Sequence, residues 1–180
     1  MPYEPHKALP EPENADTTLW RYMSFAKFMS LLEGQETLFF PRLPNLDDEH
    51  EGRIAEGTIQ QFRKRKEMAE SDEEREKIEQ NMRRIIGLQE RFRELLYVCS
   101  WNQNKVESLT MWRSYLDNAE GVAIKTTFER LTEAFAAADE EVHVGKVQYV
   151  NVEDFEGDWT NALNHARIKR LAFRDEREVR

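Results

Sequence analysis

The sequence holds a single cysteine, Cys99, among 180 residues. No intrachain disulfide can close and no cysteine-based zinc site can be built, which fits a chain kept in a reducing cytoplasm. Histidine is scarce too. His6, His50, His143 and His165 show neither HxH nor HxxxH spacing, so no metal site is expected. No apolar run is long enough to span a membrane, and the opening MPYEPHKALPEPENADTT has no apolar leader core. Positive charge is in deficit, with 26 Lys and Arg against 35 Asp and Glu, a net charge of −9. General binding to a nucleic-acid backbone needs a basic stripe and is therefore disfavoured. P-loop, GxGxxG, GxSxG and HExxH patterns are all missing, which sets aside the commonest nucleotide, hydrolase and zinc-protease chemistries.

What is present suits one α+β domain. Hydrophobic residues make up 39%, enough for one core. Residues 1–18 hold four of the six prolines and several acids, and read as a flexible or loosely docked arm. Residues 19–180 read as a single domain with a helical-hairpin insertion over 53–97, an excursion from its core. A strand over 19–23 is followed by a short helix with Phe25, Phe28, Met29 and Leu32 on one face, Ser24 as its cap and Gly34 as its stop. A second strand is expected over 37–40. Pro41 and Pro44 then confine the chain to a loop carrying Asp47-Asp48-Glu49-His50-Glu51-Gly52. This loop reads as solvated, or as one whose Asp caps a turn, against a hard-cation site that lacks the EF-hand pattern.

Residues 53–97 are highly charged and follow helical spacing. A helical hairpin is predicted, with helices near 53–69 and 72–97 and a new cap at Ser71-Asp72. Its charges form either a solvated face laced with i,i+4 pairs or a partner-docking surface. The stretch 99–125 then reads as strand (97–99), polar loop (101–104), helix from Ser108 with Leu109, Trp112 and Leu116 on one face, glycine turn at Gly121, and strand (122–124). A serine and two tryptophans at the mouth of two strands suit either a pocket or a core corner. A helix capped by Thr126 or Thr127 follows. Val142, Val144, Val147 and Tyr149 alternate, with a bend at Gly145. An acidic loop (151–159), a helix (160–172) and a charged strand (173–180) close the chain. Such a strand needs a neighbour, so the full-length protein is expected to continue beyond Arg180. The fold expected is a mixed, largely antiparallel sheet of about five or six strands with helices around it.

Two clusters could carry chemistry. Arg21 and Tyr22 sit on the first strand, expected mid-sheet. Glu176 and Glu178 stand two apart on the last, so both should point to one face. Paired carboxylates can divide acid, base and electrostatic work, and arginine offers a bidentate anion contact. The structural alternative is an Arg–Glu ion pair across adjacent strands.

The order of these motifs resembles the bacterial family called domain of unknown function 2971. The resemblance rests on Trp20-Arg21-Tyr22, Leu31-Leu32, Leu38-Phe39-Phe40, the loop Asp47 to Gly52, Cys99-Ser100, Met111-Trp112-Arg113-Ser114-Tyr115, Gly121 to Ile124, Lys169, Phe173, and Glu176-x-Glu178-x-Arg180. The chain departs from the family's Asn-Asp-Pro-Phe-Glu loop at Asp47, Glu49 and His50. The layout is in turn similar to an ADP-ribosyltransferase, with Arg21, Ser100 and Glu178 as an Arg-Ser-Glu set. That similarity implies NAD as substrate. Arg21 would hold a pyrophosphate oxygen, and Tyr22, Trp101 or Trp112 would stack on nicotinamide or adenine. Ser100 would order the site, Glu178 would stabilise the oxocarbenium-like state and Glu176 would orient the acceptor. The acceptor would be a protein or a nucleic acid, and the setting a toxin or phage-defence effector. The other expectation is a non-catalytic binding module of a bacterial defence or regulatory system, with hairpin 53–97 docking a protein partner.

Overall fold

The computed structural model describes residues 3–33, 38–116 and 120–180. In chain order the elements are β1 (Thr18–Ser24), α1 (Phe25–Glu33), α2 (Glu56–Met68), α3 (Asp72–Leu95), β2 (Trp101–Gln103), α4 (Leu109–Leu116), β3 (Gly121–Thr127), α5 (Phe128–Ala134), β4 (Gln148–Val150), α6 (Ala162–Arg167), β5 (Ile168–Arg170) and β6 (Glu178–Val179). The fold is α+β, as expected. No described helix is long and apolar enough to cross a membrane. The chain divides into two compact units. The first comprises Met1–Phe40, Cys99–Val147 and Asp175–Arg180, and the second Pro41–Val98 and Gln148–Arg174.

The first unit is built on an antiparallel sheet of order β3-β1-β2-β6. β1 is central, as the sequence suggested, and pairs with β3 over all seven residues. Its odd positions face a core of Leu19, Cys99, Trp101, Phe128, Leu131, Val144 and Val179. Thr127 caps α5 by accepting from the Arg130 N–H, and Ser108 accepts from the Met111 N–H at the head of α4. Met111, not Leu109, is the residue α4 buries.

Several expectations change here. β2 forms at Trp101–Gln103, where a polar loop was expected, because Asn102 spends its amide on the Glu176 carbonyl and is buried between neighbouring strands. Residues 38–40 form no strand: Phe40 packs edge-on against Phe135 without a backbone ladder. Thr37 and the helix stop at Gly34 lie outside the described residues. The N-terminal segment is docked. Glu4 donates to the Val142 carbonyl, Lys146 to the Pro10 carbonyl and Glu129 to the Ala15 carbonyl, while Leu9 is buried. Proline loses its N–H but keeps its acceptor, so a proline-rich segment can still pair. Gly145 permits the approach, since a Cβ there would lie 2.7 Å from the Leu9 backbone.

The second unit contains the helical hairpin. α2 and α3 stand where the two helices were predicted, and Ser71 caps α3 by accepting from the Glu74 N–H. The hairpin is not an excursion. Phe62 and Ile85 pack with Ala55, Val150, Trp159 and Ile168 into one core. Thr58 Oγ1 accepts from Trp159 Nε1 at 2.9 Å and from the Gly157 N–H at 3.2 Å. The strand expected over 97–99 reduces to a single bridge between Tyr97 and Arg42. The helix expected over 160–172 ends at Arg167, and Ile168–Arg170 instead pair parallel with Gln148–Val150.

Candidate functional site

Residues directly opposite on antiparallel strands share a face, and neighbours along a strand do not. Lys125 lies opposite Trp20, Trp20 opposite Asn102 and Asn102 opposite Glu178, so these four form one row across the sheet. Tyr22 is on the same face by the two-residue period. Its ring lies 5.0 Å from that of Trp112, edge to face, and 6.4 Å from that of Trp20, stacked. Lys125 Nζ sits 5.2 Å from the Trp20 centroid.

Arg21 is on the other face. Its Nη1 lies 2.8 Å from Cys99 Sγ and 3.0 Å from the Ser100 carbonyl, and its guanidinium is 5.8 Å from the Trp101 centroid. The structure therefore separates the residues grouped from sequence. Tyr22, Trp112 and Glu178 share one face, whereas Arg21 and Trp101 share the opposite one. Ser100 meets Arg21 through its carbonyl. Arg21 and Glu178 cannot both be aimed at one ligand on one side of this sheet, which corrects the expected Arg-Ser-Glu grouping.

The paired carboxylates also part. Glu176 ends a 3-10 turn (Leu171–Glu176) and Glu178 opens β6, with Arg177 between them at φ 43°. That left-handed residue breaks the alternation that would have put both on one face. Glu178 is only 5% exposed and Arg180 8%, and Arg180 Nε donates to Glu178 Oε2 at 2.7 Å. The ion-pair alternative is thus met within two residues of one strand end, not across strands.

The aromatic handles are likewise committed. Trp20 Nε1 donates to the Asn104 carbonyl, Trp112 Nε1 to Glu107 Oε2, and Tyr22 Oη accepts from the Ser108 N–H at 2.8 Å. Burial pushes the Tyr22 phenol above its ordinary value, the Ser108 N–H pulls it down and Glu107 pushes it up. The Cys99 thiol is raised by burial, with Arg21 and Trp101 opposing. One buried acceptor on the Glu178 face, Asn102 Oδ1, has no hydrogen-bond donor among the described residues.

In the second unit, the acidic loop is clamped. Asp48 accepts from Arg170 at both oxygens, Oδ1 at 2.7 Å and Oδ2 at 3.2 Å, and Oδ1 also accepts from the His50 N–H. Glu51, 2% exposed, pairs with Lys169 at 3.2 Å. Lys169 and Arg170 lie 4.6 and 5.1 Å from the Phe173 centroid. The turn-capping reading of Asp48 is the one observed. An open cleft of about 450 Å³ lies over Asp47, Asp48, Glu49, His50, Arg170 and Phe173. These pairings escaped the sequence because Lys169 and Arg170 read as helical, and a lone KR dipeptide carries no spacing signal. His165, wholly buried with Nδ1 2.7 Å from the Gly52 carbonyl and Nε2 3.1 Å from the Trp159 carbonyl, had no signal either. No group of three metal-ligating side chains gathers among the described residues. Compared with family models, with curated proteins and with solved structures, the chain matches none.

Proposed function

We propose that this protein is a non-catalytic binding module. The observation that carries this reading is the buried Glu178–Arg180 pair, with Arg21 on the opposite sheet face. A carboxylate that must stabilise a developing cation has to face the substrate, and this one faces a guanidinium. The outward surface of α2 and α3 is the partner-docking face. Its support is the charged outward surface itself, on which apolar residues stand singly: Met68, Ile86 and Leu95 are 81%, 41% and 66% exposed at separate points on the two helices.

An NAD-consuming, ADP-ribosyltransferase-like enzyme is the second reading. Tyr22 and Trp112 on the Glu178 face favour it, as does the unsatisfied Asn102 Oδ1, which could take an amide N–H. Incubation with NAD labelled in the nicotinamide ring separates the two. The binding module gives no nicotinamide release above buffer. Release that disappears in Glu178→Gln, with the fold retained, would overturn it in favour of the enzyme.

A further inference from the structure

The four-stranded sheet has two borders, β3 and β6. The β6 border is closed by main chain. Arg180 and Gly145 exchange N–H···O bonds at 2.9 and 2.8 Å, the Val147 N–H donates to the Glu178 carbonyl, and Lys146 bridges to Val179.

Among the described residues no main chain closes the β3 border. The Phe25 N–H donates to the Glu120 carbonyl and the Phe128 N–H to the Thr17 carbonyl, so hydrogen-bonded pairs flank the β1–β3 ladder at both ends. By alternation, Met23–Val122, Arg21–Ile124 and Leu19–Thr126 are then the hydrogen-bonded pairs within it. Gly121, Ala123, Lys125 and Thr127 consequently turn their N–H and carbonyl groups away from β1. Among the described residues the four N–H groups and the Gly121, Ala123 and Lys125 carbonyls have no main-chain partner beyond the strand, whereas the Thr127 carbonyl accepts the first hydrogen bond of α5. β3 buries no residue, whereas β1 buries Leu19, Tyr22 and Met23.

Of the usual protective devices this border carries one, a lysine, and lacks the rest. β3, GVAIKTT, has no proline and pairs without a bulge, and its one charge, Lys125, lies over the Trp20 ring. α1, which packs beside β3, carries Phe25, Phe28, Met29, Leu31 and Leu32 yet buries none of them.

We propose that β3 pairs antiparallel with β3 of a second copy, about a two-fold axis at Ile124. The outward-facing residues are symmetric about that position. Ala123 then meets the partner's Lys125 with both N–H···O bonds made, and Gly121 meets the partner's Thr127, whose N–H donates to the Gly121 carbonyl while its own carbonyl stays with α5. Ile124 meets the partner's Ile124 and Val122 the partner's Thr126. The charges suit this occupant: each lysine faces an alanine, and no like charges stand opposed.

The register makes a test whose sign is fixed in advance. Sedimentation equilibrium of the full chain, from about 1 to 200 µM, should show a monomer–dimer equilibrium. Ala123→Lys sets two like-charge pairs across the axis and should weaken the dimer roughly tenfold; Ala123→Glu sets two opposite-charge pairs and should tighten it by a similar factor. Thermal melts by circular dichroism at the dilute, monomeric end of the series, unchanged in both variants, establish that the monomer fold survives. Amide exchange at Ala123, Lys125 and Thr127 should slow as the dimer populates. A chain monomeric at the highest concentration overturns the proposal. So does a dimer that both substitutions move in the same direction, or one in which these three amides exchange equally at both ends of the series.

Discussion

Glu178 and Arg180 are the residues whose roles depend most on each other. Both are more than nine-tenths buried and bonded at 2.7 Å. Removing one charge breaks this pair while the other charge stays buried, and breaking a buried pair costs about 3–5 kcal/mol. Glu178→Gln, isosteric but neutral, should therefore lower stability by about 3 kcal/mol in urea unfolding. Replacing both residues by apolar ones of similar volume should recover much of it. A Glu178→Gln variant as stable as the parent would show that the pair contributes little. Tyr22 gives a second prediction. Its phenol is raised by burial, so folding favours the neutral form. The stabilisation is complete below the ordinary tyrosine value of about 10 and is lost as pH rises through the higher folded value. Tyr22→Phe should flatten the alkaline limb of stability against pH, measured from about 9 to 11.5, and cost about 1 kcal/mol near neutrality for the lost Ser108 bond. An unchanged alkaline limb would place the ionising group elsewhere.

Among the elements, the α2–α3 hairpin departs furthest from what its composition suggested. A charged, weakly apolar helix pair looks dispensable, and on that basis residues 56–93 could be replaced by a short linker. The structure reverses this. Phe62 from α2 and Ile85 from α3 line the same core as Trp159 and Ile168, and Thr58 holds the Trp159 indole N–H. Truncating one large core side chain costs about 3–5 kcal/mol, and the deletion removes several. The linker variant should show no cooperative transition for the second unit in calorimetry. A single sharp melt near the parent temperature would restore the hairpin to an appendage. The helices themselves were legible, because Ser71 and Thr127 are caps whose hydrogen bonds lie within three residues. The short strands were not. β2 reads WNQ, and only burial of Asn102 between paired neighbours makes it a strand.

At the scale of the molecule, both units are discontinuous in sequence. The first draws on three segments and the second on two. Pro41–Val98 supplies the hairpin, but β4, β5, Trp159 and His165 come from Gln148–Arg174. Contacts of such long sequence separation carry the entropy of closing the intervening chain before they stabilise anything. An isolated fragment 41–98 should therefore retain some helical ellipticity from α3 yet melt without a cooperative transition. A cooperative melt in that fragment would show the hairpin core to be self-sufficient.

The sequence alone determined what acts over a few residues: helix positions and caps, the absence of disulfide chemistry, the central place of the first strand and the α+β class. Tertiary structure decided which side each strand residue faces. A strand changes face at every residue, so one register step, or one left-handed residue such as Arg177, moves a side chain from site to core. That parity put Arg21 against Cys99 and Trp101 and left Glu178 with Arg180. It also decided that Asp48 and Glu51 would meet Arg170 and Lys169, some 120 residues away. Pairing over such distances is set by the sum of many weak contacts, which no local pattern encodes.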